Sequence, residues 1–174
     1  MRNRIALIAL LAAFAFALVG CGSSSSSSSS PASAAGGSST TSTTHFAKTK
    51  FVLHAGLAFG AFHHWIYKPL KAGELSHPLE HKLTTLKAAL AAAFVYHELK
   101  LALADAQADP TLSKLVSPIT ALQDKMHGLS ANVKSGGASP ADAGSVDSSI
   151  SSIKSQSAAS GQPITEQTPS SPSG

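Results

Sequence analysis

The sequence predicts an all-α protein, a small antiparallel bundle of about three helices flanked by disordered, serine-rich segments. Apolar residues recur every three or four positions between residues 78 and 133, which is the period of a helix. Proline and glycine punctuate this pattern at short intervals, which favours helices joined by tight turns. Serine, glycine, threonine and proline fill residues 22 to 44 and 135 to 174, so a core can form only over residues 45 to 134.

The first predicted helix contains the stretch FVLHAGLAFGAFHHWIY, residues 51 to 67, which has no acidic residue, lysine or arginine. At about 100° per residue, Phe51 and Trp65 fall on one face and Gly60 and Tyr67 on the opposite face, and both faces are apolar. A membrane span needs about 20 apolar residues and tolerates histidine poorly. We therefore expect this stretch, with its three histidines, to be an internal helix of a soluble bundle.

The second helix is predicted over residues 78 to 107. His77-Pro78 supplies its start, because proline fits the first helical position and disfavours the α conformation in the residue before it. Asp109-Pro110 ends it and begins the next helix, with Asp109 as the N-cap. The apolar stripe expected to face the core consists of Leu79, Leu83, Leu86, Leu90, Phe94, His97, Leu101 and Ala104.

The third helix follows from Pro110 at the same period. Ser117-Pro118 is expected to kink or briefly break it, because proline cannot donate a backbone hydrogen bond. Gly136-Gly137 should end it. Its stripe consists of Leu112, Leu115, Ile119, Leu122, Met126, Leu129 and Val133. A weaker pattern at Val146, Ile150 and Ile153 fits a further short helix, but the surrounding serines and glycines favour disorder.

The amino-terminal segment indicates where the protein resides. MRNR followed by IALIALLAAFAFALV has the basic start and short apolar core of a secretory signal peptide. It ends in Leu18-Val19-Gly20-Cys21, which resembles the lipobox of bacterial lipoproteins. That resemblance implies cleavage before Cys21, a diacylglyceryl group on its sulfur and acylation, for example with palmitate, at the new amino terminus. Because Cys21 is the only cysteine, it has no internal disulfide partner.

This organisation predicts four segments and a location. Residues 1 to 20 form the signal peptide, residues 21 to 44 a lipidated flexible linker, residues 45 to 134 the helical domain and residues 135 to 174 a disordered tail. Two or more acyl chains hold a protein stably at a bilayer. The expected location is therefore the extracytoplasmic face of the bacterial cell membrane, reached through the lipid anchor. The net charge of +4 comes without a basic cluster, which argues against nucleic acid as a partner.

The residues offer little support for an enzyme. The segment from His77 to His81 has the pattern H-x-x-E-H of inverted zinc peptidases, but Pro78 places His77 outside the first helical turn. No glycine-rich phosphate loop follows a strand, and the acidic residues are scattered over solvent-facing positions. We therefore expect no catalytic site.

All eight histidines lie between residues 45 and 127, which raises the alternative of an exported metal- or haem-binding protein. With a turn at residues 69 to 77, His54 should lie level with residue 92, about 7 Å from the level of His97. The next turn should bring it near Met126 and His127. Copper, zinc or haem could be held by such pairs. The competing expectation is that His54 and His97 are hydrogen-bonded core residues.

The first helix also carries the face on which we expect a partner. Gly56 and Gly60 have the spacing that lets two helices approach closely, and His63, His64 and Tyr67 continue the same side. This face is a candidate homodimer seam or protein-binding surface. The leading prediction for function is a non-enzymatic, lipid-anchored helical binding or scaffolding module.

Overall fold

The computed structural model describes residues 39 to 174, with side chains from Phe46 onward. The predicted signal peptide and Cys21 lie outside the described residues. The all-α prediction is confirmed, since helices without any strand make up the regular structure of residues 39 to 174. There are four long helices and one short one among these residues. They are α1 (Ser39–Phe62), the short α2 (Lys68–Lys71), α3 (Lys82–Ala108), α4 (Ser113–Ser135) and α5 (Pro140–Ala159).

The helix α1 starts before the predicted boundary at His45 and continues through a π-helical turn, His63–Tyr67, into α2. This wide turn has a local cause, because the ring of Pro69 would clash with the carbonyl four residues earlier, on Trp65. The backbone N–H of Lys68 instead reaches His63 O, five residues back. Phe51, Phe59 and Phe62 on α1 are fully buried, as predicted for an internal helix.

Within residues 39 to 174, no helix combines the length and hydropathy that a membrane crossing requires.

The helix α3 lies between α1 and α4, and its orientation corrects the sequence prediction. The predicted inward stripe faces solvent over its first half, with Leu79 81%, Leu83 74%, Leu86 57% and Leu90 44% exposed. His97 and Ala104 are exposed as well. The buried face is instead made largely of small residues: Ala88, Ala91, Ala92, Val95, Glu98, Leu99, Ala102 and Ala106.

Side-chain volume explains this orientation. The neighbouring helices fill the interior with large groups, phenylalanines from α1 and the predicted stripe of α4, of which Leu115, Ile119, Leu122 and Met126 are almost completely buried. A protein interior is packed to crystalline density, so large side chains on two helices leave room for small ones on the helix between them. The alanine face of α3 fits that space and the leucine face does not.

The helix α3 begins at Lys82, four residues after the predicted start at Pro78. Residues 77 to 81 form a turn in which the N–H groups of Glu80 and His81 both donate to His77 O, at 3.0 and 3.1 Å. The H-x-x-E-H pattern therefore does not lie on a helix, and its three polar side chains are exposed. This placement removes the geometry that a zinc peptidase needs.

The predicted end of α4 is confirmed, but α4 begins at Ser113, three residues after the predicted start at Pro110, and it is unbroken at Ser117-Pro118. Asp109 accepts hydrogen bonds from the backbone N–H and the hydroxyl of Thr111, at 2.8 and 2.7 Å, and so caps the short 3₁₀ turn before α4. Pro118 lies inside α4, which continues through it. Gly136 adopts a left-handed conformation, φ 75°, and ends the helix as predicted.

The expectation that residues 135 to 174 are disordered is corrected. The helix α5 occupies Pro140–Ala159 and packs on α4. It starts with a reciprocal capping box, in which Ser139 and Asp142 each bond the other's backbone N–H. The weak apolar pattern marks its inner face: Val146, Ile150 and Ile153 are buried. Serine is abundant on α5, yet two apolar residues in every seven positions are enough to hold the helix in place when a neighbouring helix completes the core.

Residues 161 to 174, which we call the strap, run from the end of α5 across α1. The backbone N–H of Gln167 donates to Gly56 O at 3.0 Å. An added Cβ at Gly56 would overlap the carbonyl oxygen of Thr165, and one at Gly60 would overlap the carbonyl of Gln167. The close glycine spacing therefore admits an extended segment of the same chain.

We expect Gly60→Ala to lower the free energy of unfolding by about 1 to 3 kcal/mol, because the methyl group would push Gln167 off the helix. The matched control is Gly128→Ala in α4, where nothing lies within 4 Å of an added Cβ. That control should stabilise the protein by about 0.5 to 1 kcal/mol through helix propensity.

Urea unfolding of the two variants measures both effects, and hydrogen exchange at Gln167 reports the strap directly. Equal stabilisation by both alanines, with the Gln167 amide unprotected already in the wild type, would show that the strap does not contact α1.

Candidate functional site

Two features of the described residues are candidates for function. The first is the leucine row, which we define as Leu79, Leu83, Leu86 and Leu90. Exposed single leucines are common, but three on one face of α3, with a fourth exposed in the turn before it, are not. The row stops at Phe94, which is half-buried because Gly174 at the end of the strap lies against its ring.

The second feature is the His63 cluster, which we define as His63, Asp147, Lys154 and Glu166. His63 Nδ1 lies 2.6 Å from Glu166 Oε2, and its Nε2 lies 2.8 Å from Asp147 Oδ1. Lys154 Nζ donates to Glu166 Oε1 at 2.5 Å. The cluster joins the π turn, α5 and the strap. It therefore ties the middle of the strap, at Glu166, to the helices.

The chemistry of the His63 cluster is that of a charged clasp. A carboxylate oxygen accepts hydrogen bonds and cannot donate them, so an imidazolium ring that donates from both nitrogens satisfies both contacts of His63. Partial burial raises the pKa of Glu166, but Lys154 and His63 outweigh this effect and hold the pKa below its ordinary value of 4.5. The rings of Phe62 and Tyr67 flank the imidazole at 5.3 and 5.6 Å.

The predicted partner-facing residues of α1 are mostly engaged by the chain itself. Gly56 and Gly60 are covered by the strap, and His63 is held by Asp147 and Glu166. Tyr67 is half-buried, with Lys71 Nζ 5.3 Å from its ring centroid. His64 is exposed. The homodimer seam is therefore corrected at the two glycines, because the space they open is already filled.

The predicted metal ligand His54 makes different contacts from those expected. Its Nδ1 lies 2.7 Å from Glu98 Oε2, and its Nε2 lies 3.9 Å from Asp105 Oδ2. Burial raises the pKa of Asp105, and the charges of His54 and Lys50 offset this only in part. His54 is thus level with residue 98 rather than 92, because the turn between α2 and α3 lies later in the chain than predicted, at residues 72 to 81 instead of 69 to 77. It joins α1 to α3 as a paired polar residue.

The other three predicted ligands divide between core and surface. Met126 is buried, whereas His97 and His127 are exposed. Met126 and His127 line a cleft of about 160 Å³ together with Tyr96. His54 does not line this cleft, so the structure does not bring it together with Met126 and His127 there. Among residues 39 to 174, no group of three or more histidine, cysteine, aspartate or glutamate side chains could hold a metal ion.

Sequence reasoning missed three members of the His63 cluster, namely Asp147, Lys154 and Glu166. They lie in the segment expected to be disordered, where scattered charges carry no pattern of their own. One signal was available, since Asp147 and Lys154 are seven positions apart and fall on one side of a helix. That spacing becomes meaningful only once residues 140 to 159 are known to be helical.

Comparison of the chain with protein-family models, with curated proteins and with solved structures finds no match. Function is therefore inferred from the surfaces and contacts of the chain itself. The His63 cluster makes its contacts within the chain. The leucine row is open to solvent.

We expect Glu166→Gln to lower the free energy of unfolding by about 1 kcal/mol at neutral pH, because it removes the charge shared by Lys154 and His63. The direction in which this stability contribution changes with pH follows from the lowered pKa of Glu166. Its contribution is complete above the ordinary value of 4.5 and is lost as the pH falls through the lower, folded-state value.

Denaturant unfolding of the wild type and the variant between about pH 3 and pH 7 tests this dependence. The control is Glu80→Gln in the exposed turn. A stability difference that stays constant across the range would contradict a role for the Glu166 charge.

Proposed function

We propose that this chain is a lipid-anchored helical protein on the extracytoplasmic face of a bacterial cell membrane, where it acts as a binding or scaffolding module. Attachment is supported by the leader and the lipobox-like Leu18-Val19-Gly20-Cys21. A charged clasp and a continuous core make the helical part a stable platform. Neither the exposed turn around Glu80 nor the His63 cluster offers a nucleophile with a base and an open substrate space.

The observation that carries the binding function is the leucine row. The leucines that packing turns outward keep a patch of apolar surface in water, which forgoes about 1 kcal/mol or more of burial free energy for each leucine. Such patches mark interaction surfaces in folded proteins. Leu83, Leu86 and Leu90 lie on the regular helix α3, and Leu79 lies in the turn before it. The opposite face of α3 is packed, which gives the rigid support that a binding surface needs.

Attachment predicts a specific labelling result. Cells fed an alkyne-bearing fatty acid should incorporate label into the wild-type chain, and the labelled chain should fractionate with membranes. Cys21→Ala should carry no label. Cys21→Ala that remains labelled to the wild-type level would refute the lipobox assignment.

Binding predicts a position-dependent crosslink. A benzophenone side chain placed at Leu86 in intact cells should give crosslinked products, because position 86 would lie against the partner. The matched control is the same group at Ser151, an exposed position on α5. Equal yields from positions 86 and 151 would remove the leucine row as a binding surface.

A further inference from the structure

From the leucine row and its surroundings we infer that the partner is the bilayer itself: the row docks on the anionic lipid surface beside the anchor. This inference rests on the proposed function, which brings the chain to a membrane. It adds a second point of contact, on the folded domain, to the acylated cysteine. An acyl chain and an apolar or basic protein patch together make membrane attachment stable.

The geometry of the row is that of an interfacial helix. At 100° per residue, Leu83, Leu86 and Leu90 fall within about 60° of arc on α3. The exposed Lys82 and Lys87 lie about 40° outside the two edges of that arc. Leucines between lysines match a bilayer surface, because the leucines enter the acyl boundary while the long lysine side chains reach back to the headgroups.

The charge of this region selects anionic lipid. Between His77 and His97 the chain has one acidic residue, Glu80, and it lies in the turn before α3. Lys87 Nζ lies 5.8 Å from the ring centroid of Trp65, at the border of the row. A lysine near an anionic bilayer surface contributes about 1 kcal/mol of attraction.

The size of the row argues against a second copy as its occupant. Four partly exposed leucines offer on the order of 400 Å² of apolar surface, about half of the ~800 Å² that each partner contributes to a standard interface. Beyond Leu90 the row cannot extend, because the strap covers Phe94. A bilayer needs no matching surface, so a short row with flanking charge is sufficient there.

A single fluorescent label tests the proposal on the acylated protein reconstituted in vesicles. Because Cys21 is the only cysteine and its sulfur would carry the diacylglyceryl group in the proposed mature protein, Leu86→Cys supplies one free thiol for an environment-sensitive dye. In vesicles containing phosphatidylglycerol and a nitroxide lipid, we expect blue-shifted emission and quenching by the nitroxide. The same dye on Ser151→Cys should show neither effect.

Two pairs of substitutions should weaken docking without unfolding the protein, because the residues they replace are exposed. Leu83→Ser with Leu90→Ser should abolish the quenching of the dye at position 86. Lys82→Gln with Lys87→Gln should lower the ratio of docked to undocked protein by roughly 10- to 30-fold in phosphatidylglycerol vesicles. Vesicles of phosphatidylcholine alone, or high salt, should have a similar effect on the wild type.

The outcomes separate the inference from the proposed function. Equal dye emission and quenching at positions 86 and 151 would overturn bilayer docking, as would energy transfer between dyes on two copies without any nitroxide quenching. Neither result would contradict the proposed lipid attachment at Cys21. Failure of the anchor has its own signature, because an unacylated Cys21 would itself take up the thiol dye.

Discussion

The fit of a small-residue helix face between two helices with large side chains determines the rest of this structure. Phe51, Phe59 and Phe62 on one side and the stripe of α4 on the other leave space for alanines on α3. Once that face is chosen, Glu98 points inward to His54, and the leucines of the same helix point outward. The interior and the candidate binding surface are therefore two results of one packing constraint.

The strap packs closely on α1 because two glycines of that helix have no side chains there. Two glycines one turn apart on α1 let an extended backbone lie directly on the helix, with a hydrogen bond from Gln167 to Gly56. The His63 cluster then fixes the strap by charge, since it joins three elements through one imidazole. A face that the sequence offers to a partner is thereby closed from within the chain.

The sequence contains much of the fold and little of the site. Helix-ending signals at Asp109 and Gly136 depend on local chemistry, and both were predictable. The choice between the leucine and alanine faces of α3 depends on the volumes that two other helices contribute, and hydropathy favours leucine whatever those volumes are. The turn before Lys82 has the same character, since its position in the chain sets which residue His54 meets and no local signal fixes that position.

Residues 140 to 159 show the same limit from the opposite side. Their composition is typical of disorder, and the three apolar residues Val146, Ile150 and Ile153 are too few to stabilise an isolated helix. The capping box at Ser139 and the groove on α4 supply what composition does not. Asp147, Lys154 and Glu166 became visible as a cluster only after this helix was placed.

The strap also imposes an order on biogenesis. His63 and Glu166 are 103 positions apart, so α1 leaves the ribosome long before the segment that covers it has been made. Contacts of such separation form late, because a long loop must close first. A chain synthesised amino end first therefore leaves the glycine-bearing face of α1 uncovered until residues 161 to 174 have emerged.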